Sequence, residues 1–317
     1  MKHFVFLLTT LLSSLFVYPQ IDEDFAYWED TLSTLRSKVM SSPGEELRMA
    51  LNEEFMTLFE EFLWLDGSFQ HQWSADSLFS VVDSPDKLLR IYTWYIIKDD
   101  FTYENFGFLQ FYNAGRKKYV IYPLYDRKNT LSYPEYEIGD LNQWYGAVYY
   151  QIIPLVHKKK TYYTLLGWNG NDLFTNEKVI EVLQFDPDSQ SPVIFGAKIF
   201  KDYRSKVSRL IFKYSKEASL SLKYETHTYE VSTGKRDPKT KNMIYEVKSA
   251  PMIIFEELIP MEDNMPVLNA FLVPESSLNQ GFIESKGEWR YITRVKGRNP
   301  DKKMRPRKFS NKQFYIN

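Results

Sequence analysis

The stretch TYYTLLGWNGND, Thr161 to Asp172, decides the fold, because it joins a strand pattern to a hairpin turn. Residues 161–168 alternate as expected for a strand, and Asn169-Gly170 is a strong signal for a hairpin turn. The segment KVIEVLQF, residues 178–185, follows with a second strand pattern. The stretch therefore predicts two antiparallel strands joined by a turn.

Two functional interpretations compete with this turn. A calcium loop needs alternating acidic residues and a closing glutamate at its twelfth position, and the order Asn-Gly-Asn-Asp supplies neither. A phosphate loop places glycines between a strand and a helix, whereas Gly167 and Gly170 lie between two predicted strands. We predict a turn, with a weak metal or anion site as the alternative.

Strand patterns continue on both sides of this stretch, from Ser84 onward. Tyr, Phe, Val, Ile and Trp dominate them, and few helix-period segments separate them, which favours antiparallel meanders. The predicted fold is α+β and mostly β, with a large meandering antiparallel β domain. A curled sheet or barrel is the first choice and a propeller-like array the second. The further predicted strands are LLRIYTWYI, FGFLQFY, KYVIYPLY, WYGAVYYQIIPLV, VIFGAKIF, VSRLIFKY, SLSLKYE, NMIYEV, MIIFEELIP, NAFLVPE, GFIES and EWRYITRV.

Two amphipathic helices are predicted before the β-rich region, and a turn at residues 41–44 joins them into a helical hairpin over residues 21–66. Apolar residues recur three and four positions apart in both helices. The first stripe is Phe25, Trp28, Leu32, Leu35 and Val39, and the second is Leu47, Leu51, Phe55, Leu58, Phe62 and Leu65.

The ends of the chain have distinctive compositions. Residues 1–20, MKHFVFLLTTLLSSLFVYPQ, follow the pattern of a secretory signal peptide, so we expect export to the periplasm or the exterior. No later apolar run approaches the length of a membrane-spanning helix, so we expect no transmembrane segment after signal cleavage. Residues 67–295 form the predicted antiparallel β-rich domain, and residues 296–317 a basic, flexible tail with eight basic residues up to Lys312.

Several chemistries are disfavoured by composition. The chain has no cysteine, so disulfides, thiolate metal sites and cysteine nucleophiles are excluded. After the predicted signal only His71, His157 and His227 remain, in no zinc-peptidase spacing, and no G-x-S-x-G motif occurs. We therefore expect no cofactor, no metal site and no assigned catalytic residue. The net charge of −1 and the predicted export argue against nucleic acid as a partner.

Aromatic residues make up 17% of the chain and supply the candidate ligand-binding residues. Aromatic side chains next to turns can stack on sugar rings or on apolar ligands, although filling a core is the more common role. The candidates are Trp94, Trp144, Tyr145 and Trp168 at strand ends, together with Asp172 in the turn quoted above.

Paired carboxylates are the remaining catalytic option. Glu256 and Glu257 are adjacent in MIIFEELIP, and strand alternation predicts that they face opposite sides of the sheet. One of them is then expected to point inward, where a structural ion pair with Arg90 or Arg209 is the default.

Several of these stretches together resemble a group of exported proteins of the Bacteroidota. They are SFQHQWSADSLFSVVDSPDKLLRIYTW, FGFLQFY, KTYYTLLGWNGND, KVIEVLQFD, PVIFGAKIF, MIIFEELIP and EWRYITRV, in this order over most of the chain. The resemblance implies export from a Gram-negative cell and a fold shared along the chain. It carries over no catalytic residues.

The leading functional hypothesis is a non-catalytic, exported or envelope-associated protein. It would bind a glycan, a peptide or an envelope protein through aromatic-lined loops. The first alternative is a hydrolase that acts on a glycan or peptide polymer with two carboxylates in a cleft. The second is a structural or assembly subunit whose acidic helical hairpin docks a basic partner.

Overall fold

A computed structural model describes residues 21–74, 78–186, 189–262 and 268–295. The predicted signal peptide, residues 1–20, and the predicted tail, residues 296–317, lie outside these ranges. The predicted helical hairpin is present as α1 (Ile21–Ser41) and α2 (Glu45–Leu63). Gly44 separates the two helices with φ 77°, a left-handed conformation that only glycine adopts without strain.

The first sheet is a four-stranded antiparallel meander whose strands follow one another in chain order. Its strands are β1 (Ser80–Asp83), β2 (Leu89–Ile97), β3 (Tyr103–Asn113) and β4 (Lys118–Tyr125). Sequence patterns missed β1, because a four-residue strand is too short to show a period.

The second sheet follows in the chain and has its strands in the order β10-β7-β6-β5, with β8 also paired to β7. Its strands are antiparallel throughout. They are β5 (Val148–His157), β6 (Lys160–Asn169), β7 (Thr175–Phe185), β8 (Val193–Phe195) and, after the short β9 (Phe200–Lys201), β10 (Leu210–Ser215).

The third sheet is built mainly from the last four strands, in the order β11-β12-β13-β14-β9. The short β9 pairs in parallel with β14, and Tyr229 of β11 also pairs with Val295 of β14. The four long strands are β11 (Leu222–Arg236), β12 (Met243–Pro260), β13 (Leu272–Ser285) and β14 (Glu288–Val295).

The molecule is layered, with the helical hairpin on the first sheet, the first sheet on the second, and the second on the third. The hairpin core contains Phe59 with Trp94 and Phe108. The next core joins the opposite face of the first sheet to the second, and the last core joins the second sheet to the third. Because the second sheet is covered on both faces, β6 and β7 are buried along most of their length rather than at alternate residues.

The predicted fold class is confirmed: two N-terminal helices precede antiparallel sheets. The strands are divided among three stacked sheets rather than one large sheet, and the segment VIFGAKIF is split between β8 and β9. Within the described ranges, none of the helices has both the length and the apolar character needed to cross a lipid bilayer.

Candidate functional site

Two of the predicted binding residues, Trp94 and Trp144, are core residues. Trp94 is 1% exposed, packs edge-on against Phe55 at 5.0 Å, and donates a hydrogen bond to Asn52 Oδ1 at 2.8 Å. Trp144 is fully buried and donates to the Tyr149 hydroxyl at 2.9 Å. Neither ring has an open face in this structure, so neither can stack on a ligand without rearrangement of the core.

Tyr145 is also buried, at 5% exposure, but it borders a cleft. Its hydroxyl donates to Oε2 of the buried Glu177 at 2.9 Å, and Lys213 Nζ lies 2.9 Å from Glu177 Oε1. Burial, together with the negative Glu177, raises the pKa of Tyr145. Tyr145 therefore stays neutral and acts as a hydrogen-bond donor at the floor of the cleft.

The stretch that decides the fold is a hairpin, as predicted. β6 and β7 pair from Tyr162 with Gln184 to Asn169 with Glu177, and a five-residue loop, residues 170–174, joins them. Asp172 closes this loop, because its Oδ1 accepts hydrogen bonds from the backbone N–H of Phe174 at 2.9 Å and of Thr175 at 2.8 Å. Burial alone would raise the pKa of Asp172, but these hydrogen bonds lower it below its usual value.

Trp168 and Asp172 lie beside a polar cleft of about 480 Å³. Trp168 is half-buried and meets the ring of Tyr103 at 5.7 Å, and Tyr103 and Asp172 both line the cleft. Lys128 Nζ donates to Asn171 Oδ1 at 2.9 Å across the same cleft. Much of its polar surface is therefore already paired within the protein.

Asp126 is the most enclosed carboxyl of the polar cleft. Burial raises the pKa of Asp126, which is a property expected of a catalytic acid. However, one carboxyl oxygen accepts from Asn105 Nδ2 at 2.8 Å and the other from the Lys128 N–H at 3.0 Å. These contacts hold the β4 end in place, so a structural role accounts for Asp126.

The cleft beside Tyr145 is larger, about 650 Å³, and opens between the second and third sheets. We call it the tyrosine cleft, and its polar and aromatic wall includes Glu135, Tyr203, Arg204, Glu256, Glu257 and Tyr291. The Tyr203 and Tyr291 rings are 4.7 Å apart, tilted by 57°, and both are half-buried. Part of each ring therefore remains open to solvent within the cleft.

Polar contacts hold both rings. The Tyr291 hydroxyl donates to Gln280 Oε1 at 2.6 Å, and burial raises the pKa of Tyr291 to about 12. The Arg204 guanidinium lies 5.1 Å from the centre of the Tyr203 ring and donates to Glu135 Oε2 at 2.7 Å. The rings are therefore fixed before any ligand arrives, which reduces the entropy lost on binding.

The prediction that Glu256 or Glu257 pairs with Arg90 or Arg209 is wrong, whereas their placement on opposite faces of the sheet stays a prediction. Both residues border the tyrosine cleft. The pairing of β12 with β13 shifts between them, from Glu256 opposite Asn279 to Glu257 opposite Glu275, and this irregularity breaks simple alternation.

The two embedded arginines do form structural ion pairs, but with other partners. Arg90 pairs with Asp83, and Arg209 Nε donates to the buried Glu181 at 2.7 Å. Glu256 instead accepts from the Ser221 N–H at 2.8 Å.

Sequence patterns missed Tyr203 and Tyr291. The two residues lie on segments far apart in the chain, and nothing in either segment distinguishes them from the many core tyrosines. In the described part of the chain, histidine and carboxylate side chains do not gather in groups of three that could hold a metal ion.

Comparison with protein-family models, with curated proteins and with solved structures found no match for this chain. The residues of the clefts are therefore the guide to function.

Proposed function

We propose that this protein is a non-catalytic, exported binding protein that holds a glycan in the tyrosine cleft. The observation that carries the proposal is the pair of fixed, half-open rings of Tyr203 and Tyr291 beside carboxylate and amide side chains. Aromatic faces pack on the C–H faces of sugar rings, and carboxylates and amides accept hydrogen bonds from sugar hydroxyls. Export is supported by the signal-like first twenty residues.

The size of the cleft fits this ligand class. Small-molecule sites commonly enclose about 300–1,000 Å³, and the tyrosine cleft, at about 650 Å³, lies within that range. Its carboxylates and its two cations, Arg204 and Lys213, offer both acceptors and donors. A polyhydroxylated ligand can use both kinds of group.

The experiment is isothermal titration calorimetry with soluble peptidoglycan fragments, chitohexaose, cellohexaose and a mannan oligosaccharide. We expect one of these to bind, and Tyr203→Ala and Tyr291→Ala each to weaken binding by about tenfold, because each removes a stacking surface. Tyr27→Ala, on the outer face of α1 at 68% exposure, is the matched control and should bind normally. Silence across the panel, or unchanged affinity in both cleft variants, would contradict the proposal.

A glycoside hydrolase is the second candidate, because three glutamates border the same cleft. Glu135 and Glu256 already accept protein hydrogen bonds, as described above, and this favours binding over catalysis. Incubation with the sugar that binds decides between the two functions. Release of reducing ends by the parent protein, lost in Glu257→Gln or Glu256→Gln, would favour the hydrolase.

A further inference from the structure

A separate pocket of about 380 Å³ lies between the C-terminal end of α1 and the turn that joins β2 to β3. We call it the arginine pocket. It shares no residue with the tyrosine cleft, so conclusions about it are independent of the proposed function. Its apolar lining residues are Val39, Met40, Ile96, Ile97 and Phe101, of which Met40, Ile97 and Phe101 are exposed.

Arg36 borders this pocket and carries a buried charge that pairs with no carboxylate among the described residues. The side chain is 1% exposed, and burial lowers its pKa to about 10, so it remains protonated at neutral pH. Its Nε and Nη2 donate to the backbone carbonyls of Leu78 at 3.2 Å and Tyr95 at 2.8 Å. Its Nη1 is buried without an acceptor among the described residues.

The position of Arg36 follows from the short first strand. β1 pairs with β2 from Asp83 to Ser80, and Ser80 lies opposite Thr93. Continuing this register by two residues would place Leu78 opposite Tyr95, and the Arg36 guanidinium bonds to both of those carbonyls instead. The Arg36 guanidinium therefore caps the edge of the sheet beside the start of β1. Its third nitrogen, Nη1, has no acceptor among the described residues.

The surrounding charges do not neutralise Arg36. Arg48 and Lys98 also border the pocket, and Asp99 is the single acidic residue on its described wall. Asp99 already accepts from Arg48 Nη2 at 2.6 Å, while Arg48 Nε is buried without an acceptor in the described part of the chain. Lys98 Nζ lies 3.8 Å from Glu104 Oε2. Among the described residues, Arg36 is therefore the cation of this pocket left without a carboxylate, and one buried nitrogen of each arginine has no acceptor. A buried charge without a counter-ion is costly, so the pocket favours an anion.

Phe101 adds an apolar surface at the same place. It has φ 63°, a left-handed conformation that is a genuine outlier for a bulky residue, and its side chain is 57% exposed. The turn is closed by hydrogen bonds between Lys98 and Thr102 and between Phe101 and Lys98, a geometry that usually places glycine at this position. Strain together with an exposed aromatic ring is typical of functional positions, because neither benefits the fold.

We propose that the arginine pocket binds a carboxylate with an aliphatic body, of the fatty-acid class. The single charge of a carboxylate matches the one guanidinium without a carboxylate partner, and a carboxylate oxygen would accept from its remaining nitrogen, Nη1. The aliphatic body packs on the apolar wall and under the ring of Phe101.

The first part of the test uses isothermal titration calorimetry with octanoate as the probe. Octanol keeps the tail without the charge, acetate keeps the charge without the tail, and octyl phosphate changes the anion. We expect octanoate to bind at least about tenfold more tightly than each of the other three, because each lacks one feature of the match. Equal binding of octanol, or tighter binding of octyl phosphate, would overturn the proposal.

The second part uses variants that keep the fold. Arg36→Lys is unsuitable alone, because Arg36 also holds Leu78 and Tyr95. Arg48→Gln and Phe101→Gly should each weaken octanoate binding by about tenfold. Phe101→Gly should also raise the melting temperature, because it removes the left-handed strain. Arg116→Gln, an exposed cation at the opposite end of β3, is the control and should bind normally. Unchanged octanoate affinity in both pocket variants would overturn the proposal.

Discussion

At the scale of single residues, polar side chains inside the apolar cores fix how neighbouring elements pack on each other. Asn52 lies on the buried face of α2 and accepts the Trp94 indole hydrogen at 2.8 Å. Its own Nδ2 is buried without an acceptor within the described ranges. The contact therefore fixes how the helical hairpin sits on the first sheet, while contributing less stability than a fully paired amide would.

Replacement of Asn52 tests this contact. Asn52→Ala should lower the free energy of unfolding by about 1–3 kcal/mol, because it leaves the Trp94 N–H buried without an acceptor. Urea unfolding at neutral pH measures it, with the exposed Asn142→Ala as control. The double variant Asn52→Leu with Trp94→Phe should lose less unfolding free energy than the summed losses of Asn52→Leu alone and Trp94→Phe alone. Simple additivity would show that the hydrogen bond is not the relevant interaction.

Asp172 gives a pH-dependent prediction at the same scale. Its pKa is lower in the folded protein than in the unfolded chain, so its stabilising effect is complete above the unfolded value of about 3.9. The effect disappears as the pH falls through the lower folded pKa. Asp172→Asn should therefore be less stable than the parent by about 1 kcal/mol at pH 6, a value reduced for partial exposure. The difference should shrink below pH 4, and a constant difference from pH 6 to pH 2 would contradict this.

At the scale of elements, the sequence showed the period of each segment, but it did not show which face of the segment is buried. The second helical stripe was predicted to include Leu47 and Leu65, yet these are 47% and 38% exposed. The buried face instead runs through Asn52, Met56 and Phe59 as well as Phe55 and Phe62. The polar Asn52 lies on this buried face and interrupts its apolar pattern. Its hydrogen-bond partner, Trp94, is distant in sequence, so the pattern of α2 alone could not show that Asn52 is buried.

The β12 strand shows the same limit for strands. Its existence was predicted from NMIYEV and MIIFEELIP, but the relation of Glu256 to Glu257 depends on the register of β13. That register shift is a property of the pair of strands, so the alternation within one strand could not reveal it. The irregularity at this edge of the tyrosine cleft was therefore not predicted.

The hairpin of β11 and β12 extends beyond the packed core and yields a prediction for an element. Its end, residues 233–244, is exposed or half-buried, and Ser232 pairs with Tyr245 just before it. Replacing residues 233–244 with Asn-Gly keeps that pairing and supplies a two-residue hairpin turn. The free energy of unfolding should change by no more than about 0.5 kcal/mol. A loss of several kcal/mol in urea unfolding would mean that this end stabilises the third sheet.

At the scale of the whole molecule, neighbouring cores share a sheet. The first sheet contributes to the core with the helices and to the core with the second sheet, and the second sheet contributes to two cores in the same way. Unfolding of any layer would therefore expose a large apolar face of the next one. The sequence could predict a helical hairpin and a β-rich region, but not that they share buried surfaces.

This arrangement predicts that the described layers unfold together. Phe59→Ala in the helical layer should cost about 3–5 kcal/mol, because Phe59 is fully buried. Leu47→Ala, on the exposed side of the same helix, is the matched control and should cost about 0.5 kcal/mol or less. The stability lost in Phe59→Ala should appear in every layer, including the third sheet around Phe282, which lies in a different core.

Native-state hydrogen exchange tests whether the layers unfold together, because it reports the opening free energy of each segment separately. Under conditions where exchange follows equilibrium opening, Phe59→Ala should accelerate exchange in the most protected amides of β6, β7 and β13 by a similar factor to those of α2. If acceleration were confined to α1, α2 and the first sheet, the helical layer would open as an independent unit. The layers would then be coupled less strongly than their shared buried sheets imply. The helical hairpin could detach while the tyrosine cleft stayed intact.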